Sequence, residues 1–311
     1  MTRSAEQSAL HVVVSGAGGL IGSELVPRLS RAGYRVTRLT RGPAGPGTIT
    51  WDPANGRLDP AQLAGVAAVI HLAGENVGAR WTPARKARIR DSRVGGTRLL
   101  SKALAGLPRP PRVLISSSAV GIYGNRGSAV LTETSPPGDP KRSFLTAVCL
   151  DWEAAAEPAR AAGIRVVHPR FGVVLSRRGG ALAKLLLPFR LGLGGTLGSG
   201  WQWMSWISVD DAVSAILHTL IDERLEGPVN VTSPEAVTNR DFVGTLGRVL
   251  GRPTLVPIPA GVLRLIFGEM AQSTMLDSAR VEPEKLLRAG YQFQHPDLER
   301  ALRHVLGVPG Q

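Results

Sequence analysis

Short apolar runs alternate with amphipathic stretches through the first half of the chain. Residues 10–15 are a Val-rich apolar run, and residues 20–32 then carry Leu20, Ile21, Leu25, Val26 and Leu29 at helical spacing. Residues 34–40 hold Val36, Thr37 and Leu39 between charged positions, which predicts a second strand. Residues 66–72 are almost wholly apolar, the pattern of a strand covered on both faces. The pattern further predicts a long Arg-rich helix over 82–104, a strand over 113–116, a helix over 144–162 and a strand over 164–169. Alternation of this kind makes right-handed crossovers and a mostly parallel sheet. The expected fold class is therefore α/β: a doubly wound parallel sheet of Rossmann type with a smaller C-terminal lobe.

After residue 170 the pattern loosens. Glycines between 179 and 200 mark loops around a helix at 181–191. Helices follow at 209–222 and 238–250, the latter capped by Thr238 or Asn239, with a short strand at 229–231 between them. Pro253, Pro257 and Pro259 punctuate an extended stretch, and residues 262–306 read as helical. Residues 10–170 are expected to form a nucleotide-binding domain, with 203–224 returning to it. Residues 171–202 and 225–311 would make the smaller lobe, including a helical extension over 260–307.

The chain has 311 residues, 43% of them hydrophobic, enough for a substantial core. No apolar run approaches the roughly 20 residues of a membrane span. Residues 1–9 are polar and lack the hydrophobic region of a secretory signal, so a cytoplasmic protein is expected. The single Cys149 excludes an internal disulfide framework, and the six histidines show no metal spacing, so no metal is expected. The net charge is +13, but five of the 37 basic residues are Lys and the arginines are scattered. That fits a solvated basic surface with a phosphate site rather than a nucleic-acid partner.

The clearest chemistry lies between the first strand and first helix, where Gly16, Gly19 and Gly22 stand at GxxGxxG spacing with Leu20 and Ile21 between them. The first glycine permits a tight turn, the second a close approach to a pyrophosphate, and the third close helix packing. The helix N-terminus adds partial positive charge toward the anion. The second strand ends in Thr40 and Arg41, where an NAD binder places an acid for the ribose hydroxyl. A hydroxyl beside a guanidinium suits a 2′-phosphate instead, so the expected cofactor is NADP(H).

Those residues, with His71-Leu72-Ala73-Gly74, Ser116-Ser117-Ser118-Ala119 and Trp206-Ile207-Ser208-Val209-Asp210-Asp211, resemble the extended short-chain dehydrogenase/reductases. The segments Ile49-Thr50-Trp51-Asp52, Ala73-Gly74-Glu75-Asn76, Leu186-Leu187-Pro188-Phe189-Arg190 and Val229-Asn230-Val231-Thr232 narrow the resemblance. They are similar to an epimerase-like subfamily of NADP-dependent oxidoreductases (SDR39U-like), some of whose bacterial members carry a cell-division-inhibitor label. The resemblance implies that Gly16, Gly19 and Gly22 hold the pyrophosphate and that Thr40 and Arg41 face the adenosine phosphate. It also implies that Leu72, Ala73 and Gly74 line the groove, and that Arg93 reaches the cofactor from the long helix.

The same resemblance implies hydride chemistry by Ser, Tyr and Lys. Ser118 matches the serine, but alignment on Glu153 puts Leu145 at the tyrosine and Cys149 at the lysine, and no YxxxK occurs. Leucine has no proton to give, and Cys149 reads as a buried small side chain. Tyr123 is the nearest phenol and stands as an alternative acid/base or as a packed residue. Trp201, Trp203 and Trp206 could wall a pocket or anchor a core, Arg170 could meet an acidic substrate, and Asp210 and Asp211 could cap a helix. The expected function is an NADP(H)-binding epimerase/dehydratase-like oxidoreductase acting on a small substrate. The alternative is a catalytically degenerate dinucleotide sensor or scaffold that binds a protein partner. A homodimer through helices 82–104 and 144–162 is an expectation by analogy.

Overall fold

A computed structural model describes residues 10–43 and 45–309. The segment 1–9, read above as lacking a secretory signal, lies outside the described residues. Along the chain β1 (His11–Ser15) leads through α1 (Gly22–Arg31) to β2 (Arg35–Thr40) and β3 (Thr48–Thr50). Next come β4 (Ala68–His71), α2 (Pro83–Ala105), β5 (Val113–Ser116), β6 (Ser118–Ala119), β7 (Val130–Leu131), α3 (Phe144–Ala154) and α4 (Glu157–Ala161). β8 (Arg165–Phe171), β9 (Val173–Leu175), α5 (Gly180–Arg190), β10 (Trp203–Met204), β11 (Trp206–Ser208), α6 (Val209–Ile221) and β12 (Gly227–Val231) follow. Beyond them lie β13 (Val237–Thr238), α7 (Asn239–Leu250), α8 (Ala260–Phe267), β14 (Arg280–Val281), α9 (Glu284–Arg288) and α10 (Leu298–Leu306).

The main sheet runs β12-β8-β5-β4-β1-β2-β3, with every neighbouring pair parallel. Successive side chains of a strand point to opposite faces, so each strand feeds two cores. Val12, Val14 and Ile70 pack with Leu25 and Leu29 of α1 and Val213 and Ile216 of α6. Val13, Val69 and Leu114 pack with Leu100 and Leu104 of α2 and Ala159 of α4. Burial on both faces is why these strands read as continuous apolar runs. The smaller lobe has its own core, in which Leu186 and Phe189 of α5, Phe242 and Leu246 of α7, and Leu302 of α10 surround Trp206.

The structure departs from the sequence reading in four places. β12 is an edge strand of the eight-stranded main sheet, in which β6 also pairs with β8, rather than part of the smaller lobe. The helix expected over 144–162 breaks between α3 and α4, because Pro158 has no N–H to continue the ladder. β3, which the periodicity misses, extends the sheet beside β2. The stretch 262–306 is not continuously helical. β14 pairs with β7, and Gly290 takes a positive φ of 78°, which ends the helical path after α9.

One carboxylate ties the two parts together. Ser208 caps α6 by accepting from the Asp211 backbone N–H at 2.9 Å. Asp211 is therefore not itself the cap. Its fully buried carboxylate accepts from Ser208 Oγ, Tyr291 Oη and the backbone N–H groups of Gln294 and His295. Removing such an acceptor strands several buried donors. Asp211→Ala is expected to cost roughly 3 kcal/mol, on the scale of hydrogen bonds to charged groups. A urea midpoint within experimental error of the parent would refute that.

Candidate functional site

Three strand ends meet at one edge of the sheet. The register sets Ser15 beside Leu39 on one side and His71 on the other. Gly16 is thus flanked by Thr40 and by Leu72, at the point where the strand order reverses, which is where open α/β sheets place ligands.

Gly16 adopts φ +68°, and a Cβ there would lie 2.7 Å from the Leu72 carbonyl carbon and 2.8 Å from Ala73 N. A Cβ on Gly22 would lie 2.2 Å from Gly16 O. The Gly19 N–H closes the turn onto Gly16 O at 2.9 Å. Gly18, by contrast, faces open space. Ile21 offers no side-chain cap to α1, and although Ser23 N and Glu24 N already donate to Gly19 O and Ile21 O, the N–H groups of Leu20, Ile21 and Gly22 take no backbone acceptor among the described residues and could meet an anion. This backbone-lined cradle fits a bridging diphosphate. Leu20 forms one wall and is covered from the smaller lobe, since a Cβ on Gly179 or Gly180 would lie 3.3 or 3.2 Å from its methyl groups.

Ser15 and His71 pin the two strand ends at this edge. Ser15 Oγ lies 2.6 Å from His71 Nδ1 and accepts from the N–H groups of Leu72 and Ala73. With its lone pairs so used, Ser15 donates its proton to Nδ1, and His71 carries its own on Nε2. Burial pushes the His71 pKa down to about 4. Sequence reasoning did not single out this pair. Its only signal was a polar residue ending each of two apolar strands.

On the adenosine side, Thr40 Oγ1 accepts from Gly42 N at 3.1 Å and Thr50 Oγ1 donates to Gly42 O at 3.1 Å, which fixes the turn that carries Arg41. Arg41 is exposed, and among the described residues it makes no ion pair. On the other side the Arg93 guanidinium lies against Gly74, 3.1 Å from the position of a Cβ there. It donates to Glu75 O at 2.9 Å and stacks over Trp152 at 5.0 Å.

Below the groove runs a buried polar chain. Ser118 Oγ donates to Glu153 Oε1 at 2.6 Å. Arg170 grips Glu153 with two hydrogen bonds of 2.8 and 2.9 Å and donates to Tyr123 Oη at 2.9 Å. Tyr123 Oη also lies 3.0 Å from Thr132 O and 2.8 Å from Asn230 Oδ1, so its one proton is committed internally. Burial alone would raise the Glu153 carboxyl, but Arg170 outweighs it and holds the group below its ordinary range. Burial raises the Tyr123 phenol, and Arg170 opposes this only in part. Tyr123 has no exposed surface, and Ser118 has 2%.

Arg170 therefore meets an internal acid rather than an acidic ligand. Leu145 sits in an apolar cluster with Trp81, Phe144 and Met270 that joins the two parts of the molecule. Cys149 is buried, and burial pushes its thiol up to about 12. Neither can move a proton. Of the three tryptophans, Trp206 is core, Trp201 is exposed beneath Arg240, and Trp203 lies beneath Arg280.

Folding also gathers Asp210, His295 and His304, whose ligand atoms lie within 4.8 Å of one another, a grouping the histidine spacing did not show. Asp210 already pairs with Arg28, and His304 Nε2 lies 3.0 Å from its other oxygen. The group latches α10 to α1 and α6.

The His71 pairing has a pH consequence. Its folded pKa lies below the unfolded value near 6.5, so its stabilising contribution is complete above about 6.5 and fades as the pH falls toward 4. The stability advantage of the parent over His71→Asn should therefore narrow between pH 7 and pH 4 in urea titrations. A constant difference would show that His71 is not held neutral.

Residues 12–232 match the NAD dependent epimerase/dehydratase family, and residues 258–305 match DUF1731, a domain of unknown function. An epimerase family protein of Mycobacterium bovis, Mb2239, is 42% identical over 301 residues, 96% of this chain and 98% of that protein. The human epimerase family protein SDR39U1 is 37% identical over 300 residues, 96% of this chain and all of that protein. A crystal structure of human SDR39U1 with NADPH superposes with a TM-score of 0.87 at 37% identity, covering 96% of this chain and 99% of that one. With the glycine cradle at the reversal of its strand order, the chain belongs to the NAD dependent epimerase/dehydratase family.

Proposed function

We propose that this protein binds NADP(H) and acts as an epimerase/dehydratase-like oxidoreductase on a small substrate in the cytoplasm. The observation that carries the reading is the cradle at Gly16, Gly19 and Gly22 with Thr40 and Arg41 beside it and no acid at the end of β2. Arg41 is exposed and makes no hydrogen bond or ion pair among the described residues, which suits a 2′-phosphate. The human relative crystallised with NADPH supports the same choice. Leu20, Ile21, Leu72, Ala73 and Gly74 would line the groove, with Arg93 behind the last of them. When bound, the dinucleotide supplies or accepts a hydride.

Contact with the substrate in this reading falls to Ser118. Arg170 keeps Glu153 ionised, and an ionised carboxylate only accepts, so the Ser118 proton points at Glu153. Ser118 Oγ is then an acceptor that can orient and polarise a substrate hydroxyl, while Glu153 stays ionised. Tyr123 is a positioning residue in this arrangement, since it holds Arg170 on Glu153 without meeting substrate.

A second reading is a catalytically degenerate dinucleotide sensor that binds a protein partner. It is favoured by one observation: apolar Leu145 and un-ionised Cys149 stand where the resemblance implies a tyrosine and a lysine.

Two measurements test these readings. Arg41→Glu should weaken NADPH binding at least tenfold, the scale of one lost charge-assisted phosphate contact, while NADH binding changes little. Equal losses for both would remove the phosphate argument. Ser118→Ala should lower NADPH consumption by about a hundredfold or more against a panel of carbonyl compounds, with cofactor binding retained. Unchanged turnover would remove Ser118 from the chemistry. NADPH fluorescence that survives the whole panel, with a stable partner recovered, would favour the sensor.

A further inference from the structure

Large apolar side chains left in water are unevenly placed. Of the twelve that stand exposed among the described residues, nine fall in two stretches, 177–209 and 242–268. The exposures are high, reaching 67% at Leu187, 82% at Leu255 and 76% at Leu265. α8 buries only Leu263 and turns Val262, Leu265 and Ile266 outward.

The two stretches form one surface. Val256 N donates to Gly194 O at 3.2 Å, Ile258 N to Thr196 O at 2.8 Å, and Arg252 Nε to Arg190 O at 3.0 Å. The end of α5 therefore lies alongside the strap that leads into α8. Both helices also touch the same loop, since Lys184 of α5 donates to Gly78 O and Arg80 donates to Leu265 O of α8. Contiguous apolar surface of this kind marks an interaction site.

Charge selects the partner. Neither stretch contains an Asp or Glu, and together they carry seven Lys or Arg. Among the described residues Lys184, Arg190, Arg252 and Arg264 enter no ion pair. A second copy would bring like charge against like charge, since the flanking acids Asp210, Asp241 and Glu269 already have partners within the chain. The apolar groups of α8 and the end of α5 are branched aliphatic side chains beside arginines, the composition of a surface that lies in a headgroup region. No helix among the described residues is long and apolar enough to cross a membrane.

We propose that this face docks on an anionic phospholipid bilayer. α8 and the leucines at the end of α5 enter the boundary between headgroups and acyl chains. Arg190, Arg252 and Arg264 rest against the lipid phosphates.

Flotation of the full chain with vesicles tests this. The protein should float with phosphatidylcholine vesicles containing about 30% phosphatidylglycerol, should be released by high salt, and should stay behind with pure phosphatidylcholine. Leu265→Asp with Ile266→Asp, and separately Arg252→Glu with Arg264→Glu, should each reduce the bound fraction at least roughly fivefold. Thermal unfolding and NADPH binding should stay at parental values. The charge-reversal pair is wholly on the surface and keeps the test valid if the aspartate pair fails to fold. No binding to anionic vesicles would overturn the proposal, as would binding indifferent to both substitutions. A dimer in sedimentation velocity that Leu265→Asp disperses would assign the face to a second copy instead, and capture of an acidic protein without vesicle binding would assign it to protein.

Discussion

The Gly16 backbone lies so close to the Leu72–Ala73 peptide that no side chain fits between them. That contact brings the ends of β1 and β4 together at the reversal of the sheet order, and the rest of the site follows from it. The Ser15–His71 hydrogen bond locks the approach from below. Gly22 carries α1 across Gly16 O, so the glycine turn and the head of the helix meet at the same point. The site is assembled from backbone, and backbone donors need no reorganisation to meet a phosphate.

The buried chain from Ser118 through Glu153 and Arg170 to Tyr123 and Asn230 has a different cause. It links β6, α3, β8 and β12 in the interior, where each charged group is tolerable only because its partner is present. The cost of opening it explains why Tyr123 stays inside and why Ser118 points its proton inward. The apolar cluster around Leu145 closes the other side of the same region.

Much of this was legible in the chain, for identifiable reasons. Strands buried on both faces must be apolar throughout, so β1, β4 and β5 stand out directly. The glycine spacing and the missing acid after β2 are local, and the register sets Ser15 between Leu39 and His71. What escaped depends on contacts distant in sequence. Asp211 reads as a helix cap until the backbone of residues 294 and 295 arrives to use its carboxylate. Tyr123 reads as either an acid/base or a packed residue until Arg170, 47 residues on, meets it. The stretch at 229–231 reads as a strand but does not say that β8 is its neighbour, and β14 pairs with β7 far away in sequence.

The most direct test of the central claim is calorimetric titration of NADPH into the parent and into Gly22→Ala. The parent should bind one equivalent saturably. The added methyl group would sit 2.2 Å from Gly16 O, so the variant should fold but lose affinity by about a hundredfold, a little under 3 kcal/mol. Equal affinity in both proteins, or no saturable heat from the parent at millimolar dinucleotide, would contradict the account.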